Sequence, residues 1–227
     1  MQADCTGTGE RRSLLVAILT SLSKGFVMAI SLSPIKRSII TFSLKSTSPL
    51  IMHKWSEKAK AMMRDKQQKG TKTKNRDLRD PEHEAKEATY VTADGDVGIP
   101  AMAFKNALIT AAHKDIGIEK TLVRKSLFLK CSDANLVIPF TDASDPVIRE
   151  DMVRVGAGSS DMRYRPEFSS WSASVSLEFD AEMLQPKDIL ALAGRAGFGV
   201  GICEWRPEKS GEFGRFEIDE TIPVEVS

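Results

Sequence analysis

The sequence predicts an α+β fold in which an antiparallel sheet packs against helices. Arg37–Ser46 alternates apolar and polar residues and is rich in β-branched types, which indicates a strand. Pro100–His113 is apolar and alanine-rich, as expected of a helix that packs on a sheet. Strands and helices do not alternate strictly along the chain, and this favours α+β over a parallel α/β arrangement.

The segment between these two elements contains a polar run. Ser56–Met63 has helical character, with Ser56 as a cap. Lys66–Asp80 has almost no apolar residues, so burial cannot offset the entropy of ordering it and we expect a mobile loop. Asp80 then caps a short helix that begins at Pro81 and ends near Ala88.

The remaining elements follow from turn residues and periodicity. Asp94-Gly95 predicts a hairpin turn between Tyr90 and Ile99, because glycine readily adopts positive φ. The further predicted strands are Thr121–Leu129, Leu136–Phe140, Arg149–Val155, Ser170–Phe179, Gly201–Arg206 and Gly214–Ile218. A Gly/Ser/Arg-rich loop is expected between 155 and 170, and a helix at Pro186–Ala196 with Gly197 past its end.

The domain organisation is predicted to be simple. Residues 1–27 contain an apolar run after Arg11-Arg12 that is too short to span a membrane, which needs about 20 residues. We interpret 1–27 as a disordered extension or a mis-called start, with a secretory signal as the alternative. Residues 28–227 are expected to form one α+β domain with a mobile basic loop at about 64–80.

Composition limits the classes of function. The chain carries 32 Lys and Arg against 31 Asp and Glu, so it is not a nonspecific polycation. Its three cysteines show no CxxC or Cys/His spacing, which argues against disulfides or a zinc site and favours a reducing compartment. We therefore expect a cytoplasmic protein, with no membrane, metal or cofactor.

A basic run is the first candidate binding feature. Lys54–Arg79 holds ten Lys and Arg residues against three Asp and Glu. Lysines on a flexible loop suit phosphates without fixing a sequence. The alternative is a solvated loop with no partner. The predicted phosphate contacts are Lys58, Lys60, Arg64, Lys66, Lys69, Lys72, Lys74, Arg76 and Arg79.

An arginine-rich segment is the second candidate binding feature. In Arg154–Glu167, two arginines flank an aromatic residue, which suits the charge and stacking needs of a nucleic-acid strand. The alternative is an ordinary hairpin loop with structural ion pairs. The predicted contacts are Arg154, Arg163, Tyr164 and Arg165.

The glycine-rich tail Ala196–Phe216 is the third candidate binding feature. It lacks the Gly-Lys-Ser/Thr of a nucleoside-triphosphate loop and the strand-to-helix context of a dinucleotide loop. Glycine permits close approach of backbone amides to a ligand, but it also serves as a helix cap or a hairpin turn. The predicted binding residues of the tail are Gly197, Gly199, Gly201, Trp205 and Arg206.

Catalytic motifs are absent from the sequence. His53, His83 and His113 lie outside any HExxH or paired metal-ligand spacing. A general-base role for a lone histidine has no supporting motif. We predict a protein without catalytic or metal-binding residues.

Three segments in order resemble a known superfamily. They are Thr47–His53 after the first strand, Ile99–Leu108 at a strand-to-helix turn, and the glycine-rich tail. The pattern resembles the RAMP superfamily of CRISPR-associated RNA-binding proteins, although Ala101, Met102 and Ala103 replace the Gly-Ser-Ser of its turn. Ile35–Ile218 also resembles an uncharacterised family from phages and prophages. The resemblance implies a ferredoxin-like fold and self-assembly into oligomers or filaments.

Together these features predict a function. The leading hypothesis is a non-enzymatic protein of phage or mobile-element origin that binds single-stranded RNA or DNA. One alternative is a phage factor that acts on a host complex, with the basic loop on an acidic partner. The other is a RAMP-type RNA endonuclease with His53 or His113 as general base.

Overall fold

The computed structural model describes residues 34–55, 60–61, 64, 79–154, 158 and 160–227. The predictions for residues 1–27, for most of the helix at Ser56–Met63 and for most of the loop at 64–80 lie outside these residues. Within Ile35–Ser227 the contacts form one unit. The division at residue 28 stays a prediction.

Ten strands and four helices occur in the described part of the chain. The strands are β1 Arg37–Ser46, β2 Leu50–Ile51, β3 Gly98–Pro100, β4 Leu127–Leu129, β5 Val137–Ala143, β6 Val147–Arg154, β7 Ser160–Phe168, β8 Trp171–Asp180, β9 Phe216–Ile218 and β10 Glu225–Val226. The helices are α1 Pro81–Glu87, α2 Ala101–Asp115, α3 Lys120–Ser126 and α4 Pro186–Arg195.

The main sheet has an interleaved strand order. Its path is β10-β1-β8-β5-β3, with β4 also paired to β8 and β9 to β1, and all the recorded pairings are antiparallel. Two βαβ halves, β1-α2-β5 and β8-α4-β9, therefore interlock, because β8 lies between the two strands of the first half. This is the split βαβ arrangement of ferredoxin-like folds. The predicted α+β class, with antiparallel sheets and packed helices, is confirmed.

The core lies between one face of the main sheet and helices α2 and α4. Phe42 of β1 is paired with Val175 of β8, and both are buried. Phe104 of α2 contacts Phe42 with ring centroids 6.5 Å apart, and Ile189 of α4 belongs to the same cluster. Apolar residues at alternate strand positions thus meet apolar helix faces, and this burial is the main stabilising contribution to the fold.

Helix ends are capped as the sequence predicts. The Asp80 carboxylate accepts from the backbone N–H groups of Glu82 and His83 at the start of α1. At the start of α4, Gln185 and Asp188 form a reciprocal capping box. These contacts fix where both helices begin, and the predicted helices near 81–88 and 186–196 are confirmed.

Two predictions of secondary structure are wrong upstream of the tail. The loop expected between 155 and 170 is largely strand β7, which pairs with β6 from Val147↔Glu167 to Arg154↔Ser160. Its charged residues Arg165 and Glu167 find oppositely charged partners across the pair in Asp151 and Arg149, so a polar sequence still forms a ladder. Much of Thr121–Leu129 is helix α3, and Ser126 stabilises the last turn by donating to the Leu122 carbonyl.

The tail does not form the predicted pair of strands. Only Phe216–Ile218 is a strand, and its partner is β1 rather than Gly201–Arg206. Cys203 and Trp205 have φ of 62° and 51°, and such left-handed conformations interrupt an extended backbone. The segment is instead joined to Gly214 by the hydrogen bond from the Ile202 N–H to the Gly214 carbonyl.

Candidate nucleic-acid interface

The glycine-rich tail begins as a π turn that presents an aromatic side chain. Helix α4 continues into Ala196–Val200, where the Gly201 N–H donates to the Ala196 carbonyl at 2.8 Å. The Phe198 side chain at its tip is 73% exposed, although the flanking Gly197 and Val200 are buried. π turns occur often at functional sites, and an exposed phenyl ring offers a flat apolar surface for stacking.

A cation accompanies this ring. The Arg215 guanidinium lies 5.0 Å from the Phe198 ring centroid, which is cation–π distance. Arg215 is fixed by its backbone N–H, which donates to Ser48 Oγ at 3.0 Å. Its Nε is buried and has no hydrogen-bond partner among the described residues. Phe198 and Arg215 were not among the predicted site residues, although a phenylalanine between two glycines at a helix end is visible in the sequence.

The glycines of the tail divide into two kinds. A Cβ on Gly197 would lie 1.9 Å from the Phe216 carbonyl oxygen, and one on Gly201 would lie 2.7 Å from Pro207 Cδ. Glycine at these two positions therefore serves the fold. A Cβ on Gly199 would have no atom within 4 Å, and Gly199 lacks positive φ. The packing of the described residues leaves this position open to close approach by a ligand.

His53 is the centre of a second group of residues. Its Nε2 lies 2.7 Å from an Arg163 terminal nitrogen, which always donates, so Nε2 accepts and the neutral ring carries its proton on Nδ1. The Nδ1 atom is buried without a partner in the described residues. Burial, reinforced by Arg165 and Arg163, lowers the pKa of His53. The ring is therefore neutral, but neither nitrogen is open to a substrate.

Residues from distant parts of the sequence meet around His53. The Tyr90 hydroxyl donates to the His53 carbonyl at 3.3 Å. Burial, with Cys203 and Glu204, raises the pKa of Tyr90 to about 12. The Glu204 N–H donates to the Ile51 carbonyl at 3.1 Å, which holds the tail against β2. The arginine-rich strand β7 and the glycine-rich tail, predicted as separate features, thus converge at His53.

A cleft of about 410 Å³ opens beside this group. It lies between one face of α2 and the tail, and its lining includes residues from both. The polar side chains among them are His53, Tyr90, Asn106, Thr110, Cys203, Glu204, Arg206 and Glu208. Polar side chains from distant parts of the chain therefore converge in one concave cleft, as they do in ligand sites.

Several of the arginines predicted to bind phosphate are engaged within the protein. Arg165 is 4% exposed and pairs with Asp151 at 3.3 Å. Arg163 pairs with Asp161 at 3.4 Å, and Arg79 pairs with the same carboxylate at 2.8 Å. Arg163 and Arg165 thus make structural ion pairs of the kind named as the alternative for the arginine-rich segment, and Arg79 of the basic run is ion-paired as well. Arg154 is exposed at the end of β6, and Tyr164 is half-buried.

The other predicted residues fall in different surroundings. Trp205 is 44% exposed, whereas the Arg206 guanidinium is held by Glu208 at 3.0 Å and by the Cys203 carbonyl at 3.0 Å. Lys60 and Arg64 are described, and both have interaction partners. The basic-run predictions outside the described residues are Lys58, Lys66, Lys69, Lys72, Lys74 and Arg76.

The described residues contain neither a metal-binding cluster nor a helix that could cross a membrane. They contain no group of three or more His, Cys, Asp or Glu side chains that could hold a metal ion. None of their helices has the length and apolar character that crossing a membrane requires.

Comparisons with known proteins find similarity to solved structures. No protein-family model matches the chain, and no curated protein matches it significantly. Among solved structures, the chain is similar to Cmr6 from Pyrococcus furiosus, with 13% sequence identity and a TM-score of 0.39. The match covers 82% of this chain and 100% of Cmr6. At this level of similarity the comparison assigns neither a family nor a function.

Proposed function

We propose that the protein binds single-stranded nucleic acid, RNA or DNA, without catalysing a reaction on it. The observation that carries the proposal is Phe198, a largely exposed ring on a glycine-flanked π turn with the Arg215 guanidinium 5.0 Å from its centroid. Bases stack on exposed aromatic rings irrespective of sequence, and a neighbouring cation serves the phosphate backbone.

Other exposed features support the same function. Lys105 Nζ lies 4.6 Å from the ring of Phe128, which is also exposed, so a second cation–aromatic pair is present on the surface. Trp205 adds an exposed indole in the tail. Stacking surfaces combined with cations are the means by which proteins hold single strands. A phage or mobile-element origin, and self-assembly along the strand, stay predictions from the resemblance.

The endonuclease alternative is less well supported by the geometry. His53 has Nε2 engaged by Arg163 and Nδ1 buried, so a general-base role requires Arg163 to leave. His113 is exposed at the end of α2, and the cleft lining does not include it. The interaction-factor alternative depended on the basic loop, most of which lies outside the described residues.

Fluorescence anisotropy with labelled single strands of RNA and DNA tests the proposal over a salt series. We expect binding that weakens linearly on a logarithmic scale as salt rises, because phosphate contacts release counterions. Phe198→Leu keeps an apolar side chain but removes the flat ring, and should weaken binding roughly tenfold, since stacking contributes about 1–3 kcal/mol per base.

A matched control uses an exposed apolar residue on another element. Val147→Ala alters β6 at a position as exposed as Phe198 is, and should leave affinity unchanged. Absence of binding at low salt, or equal affinities for wild type and Phe198→Leu, would contradict the proposal.

A further inference from the structure

We propose that the cleft between α2 and the tail takes one guanine base of the bound strand, with the Glu204 carboxylate accepting hydrogen bonds from the base's Watson–Crick edge. The inference rests on the proposed function and adds a base preference to it. It follows from the shape of the cleft, from the lack of a hydrogen-bond partner for the Glu204 carboxylate among the described residues, and from the charged groups that flank the cleft.

The cleft is large enough for a planar ring system, and the wall formed by α2 leaves room for one. Its volume of about 410 Å³ lies within the range of small-molecule sites. Ala103, Asn106 and Thr110 line it from α2, and residues three or four apart share one helix face. These side chains are short, so this face of the helix stays open opposite Gly201 and Glu204.

The Glu204 carboxylate is an acceptor that has no partner among the described residues. The residue is half-buried, yet its carboxylate makes no hydrogen bond or ion pair with any described residue. A carboxylate that is partly removed from water gains from N–H donors. Its negative charge acts on the pKa values of His53, Tyr90 and Cys203, which places it at the His53 end of the cleft.

The chemistry of the bases selects guanine. A carboxylate only accepts hydrogen bonds, and its two oxygens can receive two parallel donors. The Watson–Crick edge of guanine presents two adjacent N–H groups, whereas the edges of the other bases place acceptors beside their donors. Glu204 therefore matches guanine and meets an acceptor on each of the others.

The flanking groups suit the same ligand. Arg206 is held by Glu208 and the Cys203 carbonyl through hydrogen bonds in the guanidinium plane, which leaves its flat faces for stacking. Tyr90 keeps its hydroxyl proton because its pKa is raised to about 12. A basic side chain of a partner protein is the competing occupant, because Glu204 and Glu208 outnumber the Arg206 cation in the lining, and an arginine-rich peptide tests for it.

The test compares short uridine strands that carry a single central guanosine, adenosine or cytidine, with the full chain as binder. We expect the guanosine strand to bind about tenfold tighter than the others, since a bidentate base contact discriminates by at least that order. Glu204→Gln should abolish this preference, because its amide presents a donor in place of one acceptor. Glu212→Gln removes the same charge from an exposed position in the tail and should keep the preference.

A second variant keeps the inference testable if Glu204→Gln fails to fold. Asn106→Trp fills part of the cleft from the exposed side of α2 and should also reduce the guanosine preference. Binding without base preference overturns the inference and leaves the proposed function intact. If no strand binds, the proposed function fails, and NMR titration with guanosine 5′-monophosphate decides the inference. Chemical-shift changes in the cleft that Glu204→Gln removes support the inference. Absence of such changes, or binding of an arginine-rich peptide in place of the nucleotide, overturns the inference.

Discussion

The imidazole Nε2 of His53 and a terminal nitrogen of the Arg163 guanidinium are 2.7 Å apart, and this contact ties the segment after β2 to strand β7. The pairing is compatible only with a neutral ring, because a protonated imidazole would place two cationic donors face to face. Arg163 also pairs with Asp161, which in turn pairs with Arg79 at the start of α1. Protonation of His53 would therefore disturb contacts in three segments, which are the segment after β2, strand β7 and the start of α1.

We predict that stability decreases as the pH falls below about 6.5, and that His53 contributes to the decrease. Burial, Arg165 and Arg163 hold the pKa of folded His53 below its ordinary value of 6.5, so the unfolded chain binds this proton first. The contribution is complete above pH 6.5 and is lost as the pH falls toward the folded pKa. Urea unfolding at a series of pH values measures it.

The variant His53→Gln retains an acceptor for Arg163 but cannot titrate. Its unfolding free energy should depend less on pH below about 6.5 than that of the wild type. His113→Gln, at an exposed position, is the matched control and should preserve the wild-type dependence. Equal pH dependence in wild type and His53→Gln would show that His53 is not a source of it.

A second prediction concerns the buried ion pair of the β6–β7 hairpin. Asp151→Ala leaves Arg165, which is 4% exposed, without its ion-pair partner, and should cost roughly 3–5 kcal/mol of unfolding free energy. Glu178→Ala removes the partner of Arg37 in a largely exposed pair and should cost less than about 1 kcal/mol. Chemical denaturation of both variants gives the comparison, and equal losses would contradict it.

A third prediction separates two neighbouring glycines. Gly197→Ala forces a methyl group against the Phe216 carbonyl and should destabilise the protein by about 3 kcal/mol. Gly199→Ala meets no atom and should be neutral or stabilising by up to about 1 kcal/mol, because alanine favours helical backbone. Thermal melting measures both changes.

The same variants report on binding. Gly199→Ala should weaken single-strand binding severalfold despite an intact fold, if the strand approaches this backbone closely. Gly194→Ala also meets no atom within 4 Å and provides the control on α4. Identical affinities for the two alanine variants would exclude close approach at Gly199.

A fourth prediction concerns thiol chemistry. Burial raises the pKa of the Cys203 thiol to about 12, against an ordinary value of 9.0, so its thiolate fraction near pH 8 is about a thousandfold smaller than in the unfolded chain. Alkylation of Cys203 by iodoacetamide, followed by mass spectrometry of peptides, should therefore be very slow in the native protein and rapid in denaturant. Comparable rates in both conditions would contradict the prediction.

Periodicity and turn residues predicted the elements whose own sequences determine them. Arg37–Ser46 alternates, and Pro186–Arg195 carries its own capping residues, so both elements were identified. β7 was missed because its stability comes from β6, a partner whose register no local pattern reveals. The tail was misread because positive φ at Cys203 and Trp205 is rare for such residues and has no signature in the sequence.

The candidate site could be predicted only in part, because it too depends on contacts between distant residues. The sequence pointed to the glycine-rich tail as a candidate, but which of its glycines serves the fold depends on the approach of Phe216, a contact made only after folding. Likewise, Arg165 and Asp151 lie 14 residues apart, and only the hairpin register shows that the arginine is paired rather than available. Sequence gives the side chains, whereas pairing decides which of them are available to a ligand.

The π turn at Ala196–Val200 has a consequence for how this surface tolerates change. A π turn holds one residue more than an α-helical turn of the same span, so the direction of the Phe198 ring depends on the residue count of the turn. Removing a single residue there would restore α-helical winding and rotate the ring by roughly 100° about the helix axis. Natural or engineered variants of this protein should therefore accept substitutions at 199 far more readily than a one-residue deletion.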